Sequence, residues 1–267
     1  MVTFSVTRRR DSHHDCSAWL QGRKNELISG FGAGGPQRRE TGWEPNLSST
    51  NSIQQAMPSN YYSSQRQELH QFLPTSFSRL LDVGCGEGAY GAAVQSKHPG
   101  VEIWGVEPYT PAATIAASRL THVFNDSFHD QLSIPDDYFD VVTFNDSLEH
   151  MAEEYSMLRL AHKKLTSNGV LICSVPNIRY LEVVRQLLFD ADWKYTDSGV
   201  LDRTHLRFFT RKSICRAISS TAFEIQMVKG INSHWWSGWK VALLRLIFQS
   251  KIEDMRWQQF VVVATRK

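Results

Sequence analysis

Long apolar runs are missing from these 267 residues. The longest, VALLRLIF at Val241–Phe248, is interrupted by Arg245, whereas a bilayer-crossing helix needs about twenty apolar residues. A transmembrane segment is therefore not expected, and any membrane contact would be peripheral. No signal-peptide core follows Arg8–Arg10, so a secreted protein is not expected. Cysteine is scarce: Cys16, Cys85, Cys173 and Cys215 show neither a C-x-x-C spacing nor a disulfide framework. Reduced thiols and a cytoplasmic location follow, and no metal is assigned. A surplus of charge is absent too. The 29 Lys and Arg are nearly matched by 27 Asp and Glu, giving a formal net charge of +2. From residue 57 onward the signs balance at 22 each, so nucleic acid is not an expected partner.

The first 56 residues differ from the rest. Stretches such as SGFGAGGPQRRETGWEPNLSSTNSIQQ are rich in Gly, Ser, Asn, Gln and Arg and lack apolar periodicity. Such sequence cannot bury enough surface to offset chain entropy. Residues 1–56 are read as a disordered tail and residues 57–267 as one folded domain. Met57 is the expected native start, or else the tail is dispensable.

Beyond Tyr61, strand and helix signals alternate. YYSSQRQELHQFL reads as a helix stopping at Pro74, and RLLDVG as a strand. AYGAAVQSKH and PAATIAASRL read as helices around the strand VEIWGVE. THVFND and YFDVVTFND are strands, and AEEYSMLRLAHKKL is a helix ended by Asn168-Gly169. GVLICSVP is a fifth strand, followed by NIRYLEVVRQLLF as a helix capped by Asn177. A helix near Arg211–Ser220, the strand FEIQMVK, a helix after WWSGWK and a last strand WQQFVVVATR complete the chain. The pattern predicts an α/β fold, a Rossmann-like doubly wound parallel sheet, with one late strand antiparallel and the ligand at the carboxyl ends of the strands.

The loop LDVGCGEGAYG at Leu81–Gly91 raises the question of ligand charge. Gly84, Gly86 and Ala89 satisfy the spacing of a dinucleotide loop, and Glu107 ends the next strand, suited to ribose hydroxyls. Asp82 argues against a phosphate. At about 5 Å and an effective dielectric near 20, each phosphate charge would meet roughly 3 kcal/mol of repulsion. Glu87 would add to it. A nucleoside carrying positive charge is expected instead.

The spelling D-x-G-x-G-x-G at Asp82, Gly84, Gly86 and Gly88 resembles the first motif of class I S-adenosylmethionine-dependent methyltransferases. GVEP with Glu107, FND with Asp126, FDVVTFNDSLEHM and GVLICSVPN continue the resemblance to the chain's end. It implies a seven-stranded, mostly parallel sheet with S-adenosylmethionine as cofactor. GVLDRTHLRFFT is similar to a subfamily found with glycan and polysaccharide enzymes and implies a late lid-like insertion. The PN…R…LL…W…T run also resembles the methionine-biosynthesis regulator MetW. Carried over by position, Asp82 and the Gly84–Cys85–Gly86 backbone would hold the methionine portion of the cofactor, and Glu107 the ribose. Asp126, with Ser127 nearby, would meet adenine, and Asn145 the sulfonium side.

Methyl transfer to a hydroxyl needs a base near the acceptor. His150 in SLEHM is the candidate, and packing or capping of the next helix is its other reading. Asp146 and Glu149 are read as structural or as part of the cofactor shell. In DRTHLRFFT, strand alternation would align Arg203, His205 and Arg207 for an anionic acceptor. Pairing with Asp197 and Asp202 is the alternative. Trp235, Trp236 and Trp239 pack on the sheet, stack on a sugar or touch a membrane. The expected activity is O-methylation of a sugar or glycan precursor, with a quinone or phenolic acceptor, or a MetW-like partner module without turnover, as alternatives.

Overall fold

The computed structural model describes residues 62–233, 246 and 249–267. The tail 1–56, the three tryptophans and the helix expected after them lie outside the described residues. Seven strands form one sheet in the order β3-β2-β1-β4-β5-β7-β6. They are β1 (Arg79–Val83), β2 (Glu102–Val106), β3 (His122–Phe124), β4 (Phe139–Asn145), β5 (Leu165–Pro176), β6 (Phe223–Ser233) and β7 (Trp257–Arg266). Strands β1 to β5 pair in parallel, and β7 runs antiparallel between β5 and β6. The helices are α1 (Ala89–Lys97), α2 (Thr110–Ala117), α3 (Glu154–Lys164), α4 (Leu181–Arg185) and α5 (Arg211–Ser219). This is the Rossmann-like fold expected from the sequence, with a helical insertion between β5 and α5.

Strand alternation distributes the core over the two faces. Leu80, Ile103, Val141 and Ile172 pack with Leu69, Phe72, Tyr90 and Val94 on one side. Leu81, Val106, Val142 and Leu171 pack with Leu158, Ala161, Ile214 and Ile218 on the other. Helix α5 is opened by Thr210, whose hydroxyl accepts the Ser213 N–H while the Ser213 hydroxyl accepts the Thr210 N–H. Because β1 and β4 are neighbours while β1→β2→β3 winds the opposite way from β4→β5, the sheet's switch point lies at their carboxyl ends.

Four local expectations change. The first helix contracts to a 3₁₀ turn, Gln67–Phe72. Asn168-Gly169 does not end α3 but lies within β5, in a bulge where pairing jumps from Phe139–Leu165 to Val141–Val170. Asn177 does not cap α4, which begins at Leu181: its Oδ1 accepts the Arg179 N–H at 3.0 Å in a turn before the helix, and its amide donates to the carbonyls of Asp254 and Trp257, both at 2.8 Å, and so pins the entry to β7. DRTHLRFFT forms a turn rather than a strand, with only isolated bridges Thr196–Asp202 and Asn177–Phe209. Among the described residues no helix is long and apolar enough to cross a membrane.

Gly105 shows how closely the glycine loop packs on β2. A Cβ there would lie 2.5 Å from Cys85 Sγ and 2.9 Å from Leu120 Cδ1. Gly105→Ala should cost about 1–3 kcal/mol in urea unfolding. Adding Cys85→Ala should return part of that loss. Simple additivity of the two changes in a double-mutant cycle would refute the packing argument.

Candidate active site

At the switch point lies a cavity of about 870 Å³, walled by the glycine loop, the ends of β1, β2 and β4, and the insertion. Asp82 is 1% exposed. The register pairs it with Thr143, and strand periodicity puts Asn145 on the same face two residues on. Both donate to Asp82 Oδ1, the hydroxyl at 2.7 Å and the amide at 3.0 Å. Oδ2 has no hydrogen-bond partner among the described residues. Burial dominates, and it pushes the carboxyl up to about 6 against the two hydrogen bonds. Asn145 Oδ1 is likewise buried without a partner.

The second carboxylate is Glu107, not Glu87. Glu107 is buried, with Oε2 accepting the Gly86 N–H and Oε1 the Tyr109 N–H, each at 2.9 Å. Each oxygen keeps a further lone pair. Burial raises its pKa, and the backbone hydrogen bonds oppose that. Glu87 instead faces Arg119 at 3.6 Å. Gly86 takes a positive φ of 54°, and a Cβ there would lie 2.6 Å from the Tyr62 carbonyl oxygen. The chain entering the domain therefore lies directly on the loop. Tyr62 stacks on Tyr109 at 4.9 Å and lines the cavity. Burial, then the Glu107 charge, pushes its phenol up to about 12.

Several expected residues meet here. Asp82, Gly84, Cys85, Gly86, Glu107, Ser127 and Asn145 all line the cavity, as do His150 and His205. Asp126 does not: its exposed carboxylate accepts the Ser127 N–H at 2.7 Å and meets His129 Nε2 at 3.2 Å. The buried neighbour Phe128 takes the wall position. Arg203, His205 and Arg207 do not share a face. Arg203 pairs with Asp197 at 2.5 Å and Arg207 with Glu154 at 2.9 Å, both on the surface, while His205 is buried.

The opposite end of the cavity is built on the turn after β4. Asp146, at φ 53°, is held by Arg66, Ser174 and Gln259. His150 Nδ1 lies 3.2 Å from the Thr204 carbonyl and 3.1 Å from its hydroxyl, which donates to Asp202 at 2.7 Å. Burial lowers the pKa of His150, so its ring is neutral near pH 7. The Glu149 carbonyl accepts the N–H groups of both Leu206 and Arg207 at 2.9 Å, which stitches the insertion to this turn. Sequence reading missed Tyr62 and Arg66, which it placed in an expected helix and gave no role at the site, and Thr143, which the Asp82 register alone would have indicated.

The sequence model of a family described as a methyltransferase domain matches residues 57–228. A ubiquinone biosynthesis O-methyltransferase of Ruegeria pomeroyi is 34% identical over 109 residues, covering 39% of this chain and 43% of the relative. One of Azorhizobium caulinodans is 28% identical over 179 residues, 63% of this chain and 68% of the relative. The chain spans about half the length of most of the curated relatives it matches. Solved methyltransferases of Archaeoglobus fulgidus and Aquifex aeolicus share the fold. Their TM-scores are 0.55 and 0.53 at 17% and 12% identity, covering 76% and 81% of this chain and 95% and 98% of theirs. The expectation of a sugar or glycan acceptor is overturned: the curated relatives are named for O-methylation in ubiquinone biosynthesis, and none for a sugar.

Asp82 gives a signed test. Its pKa is higher folded, about 6, than the ordinary 3.8. The apo protein therefore loses stability as pH rises from about 4 through 6, by at most about 3 kcal/mol. Asp82→Asn keeps an Oδ1 for Thr143 and Asn145, so it should raise the apo melting temperature at pH 7.5 by a few degrees. It should also weaken a cationic ligand by about 10–100-fold. For the native protein, that affinity should be flat above pH 6 and fall below it. A destabilised Asp82→Asn protein with unchanged ligand affinity would contradict this account.

Proposed function

We propose that this chain, which belongs to the methyltransferase-domain family, binds S-adenosylmethionine beside Asp82 and Glu107 and methylates a hydroxyl oxygen of a small aromatic acceptor of the quinone or phenolic class. The observation that carries the reading is the pair of buried carboxylates at the ends of adjacent strands, each fixed by neutral donors rather than by a cation. Such a pair repels phosphate and favours a ligand with hydroxyls and positive charge. S-adenosylmethionine, when bound, supplies a methyl group activated on a sulfonium.

The chain's own residues divide the work. Asp82 accepts from the ammonium of the methionine portion, and Glu107 uses its remaining lone pairs for the ribose hydroxyls. Gly84, Cys85 and Gly86 let the backbone approach closely. Asn145 turns an unsatisfied carbonyl oxygen toward the sulfonium side. Ser127 and Phe128, rather than Asp126, flank the adenine. At the other end Met151, Met157, Val200 and Leu206 offer an apolar wall to an aromatic ring. His150, neutral and oriented by Thr204, accepts the acceptor's proton. The names of the curated relatives support an oxygen acceptor in quinone chemistry. The buried thiols of Cys85 and Cys173 support a reducing, cytoplasmic setting. The catalytic unit is assigned to residues 57–267.

Calorimetry should show binding of S-adenosylmethionine and S-adenosylhomocysteine but not NAD. A screen of catechols and hydroxylated quinone precursors should then yield methyl ethers. His150→Ala should lower kcat by about 10²–10⁴-fold with little change in cofactor affinity. Cofactor binding with no methylated product from any phenol would favour the MetW-like module. Binding of NAD alone would overturn the reading.

A further inference from the structure

The insertion and the turn after β4 bring together three side chains with no shared role in cofactor binding. One ligand atom each from Glu149, His150 and His205 lies within 4.8 Å of the others, and all three residues line the cavity. Glu149 is 0% exposed, yet neither of its carboxylate oxygens has a hydrogen-bond partner. Leaving a carboxylate buried and unsatisfied costs several kcal/mol unless it is protonated or faces a cation. Among the described residues no lysine or arginine pairs with it. Arg66, the nearest in effect, is committed to Asp146 and Glu68. Asp146 and Asp202 add negative charge around it.

The two imidazoles are arranged as metal-binding histidines usually are. His150 Nδ1 lies 3.2 Å from the Thr204 carbonyl, and His205 Nδ1 lies 3.2 Å from the Val200 carbonyl. A backbone acceptor at Nδ1 fixes the tautomer that presents Nε2 as a ligand. His205 Nε2 already stands 3.9 Å from Glu149 Oε1. Donors bound tetrahedrally to one ion at about 2.1 Å would sit roughly 3.4 Å apart. Closing the cluster therefore requires movements of about an ångström, within reach of side-chain rotation.

We propose that Glu149, His150 and His205 form a binding site for a divalent first-row transition metal, of which zinc is the type. Two imidazoles and one carboxylate suit zinc, iron(II), cobalt or manganese better than magnesium or calcium, which prefer oxygen donors. The assignment rests on this geometry and not on the methyl-transfer reading. It adds a site where the sequence suggested no metal, and it gives His150 a second state. The ion would take up the ring that the proposed function uses as a base, and it would itself favour loss of the proton from a hydroxyl bound to it.

The test uses the full chain with His13→Asn, His14→Asn and Cys16→Ser, because the run HHDC in the tail could itself take up metal. After treatment with a chelator, the protein is titrated with zinc chloride by calorimetry and with cobalt chloride by visible absorption. One equivalent should bind, with cobalt giving the d–d bands of a site containing nitrogen donors. His205→Asn and Glu149→Gln should each weaken binding by about tenfold or more, and His122→Gln on the surface should leave it unchanged. Thermal melts confirm that each variant is folded, and His205→Asn alone decides the matter if Glu149→Gln is not. Absence of a bound equivalent overturns the proposal. So does a bound equivalent that the folded variants leave intact.

Discussion

The site depends on a carboxylate kept almost wholly out of water. Asp82 lies near the end of a strand between the buried apolar residues Leu80, Leu81 and Val83, and two neutral donors hold one of its oxygens. Such a group stores unfavourable free energy that an arriving positive charge would release, because its desolvation is already incurred on folding. Glu107 shares the arrangement on the next strand, with backbone N–H groups as its donors. Because the donors are neutral, the pocket keeps its negative sign.

Around that pair the protein is held by a second polar assembly of opposite design. Arg66, in a left-handed conformation at φ 44°, binds Asp146, and Asp146 also takes Ser174 of β5 and Gln259 of β7. Here the charges are matched, and the Asp146 charge keeps the guanidinium firmly protonated despite burial. The assembly joins the chain entering the domain to the antiparallel end of the sheet. It also fixes the turn between Asn145, which faces Asp82, and Ser147, whose hydroxyl donates to the Val83 carbonyl at 2.6 Å. The cavity end at Asp82 and Glu107 keeps unmatched charge; the frame around it uses matched charge.

The sheet was legible because its strands are short apolar runs bounded by turn residues, and because a parallel sheet buries both faces of each strand. RLLDVG and YFDVVTFND carry that signal undiluted. That Asp82, Glu107 and Asn145 would meet at one cavity was legible for the same reason, since they fall at the carboxyl ends of those strands. What failed were inferences from neighbours in sequence. Glu87 is adjacent to the loop but turns to Arg119, and Asp126 follows β3 but turns to His129. Asn177 sits where a helix cap would be expected, yet its Oδ1 serves only a local turn at the Arg179 N–H and its amide reaches carbonyls 77 and 80 residues away. Side-chain direction in a turn is set by which partner the fold brings near, and no local pattern encodes that.

The insertion is the extreme case. Alternation in DRTHLRFFT would have aligned Arg203, His205 and Arg207, but alternation holds only where a neighbouring strand supplies a ladder. Here the ladder is replaced by one carbonyl, that of Glu149, which takes the N–H groups of Leu206 and Arg207 together. A single acceptor serving two consecutive donors bends the chain around itself. It leaves the arginines at the surface and sends His205 inward to stand 4.8 Å from the ring of His150. The insertion also has a small core of its own, Val183, Val200 and Leu201 with Trp193 and Phe208 packed against it. It is thus a shaped wall rather than a loose cover. Its position relative to the sheet is set at the same turn that carries His150, so the insertion shapes that end of the cavity, while the end lined by Asp82 and Glu107 rests on β1 and β2.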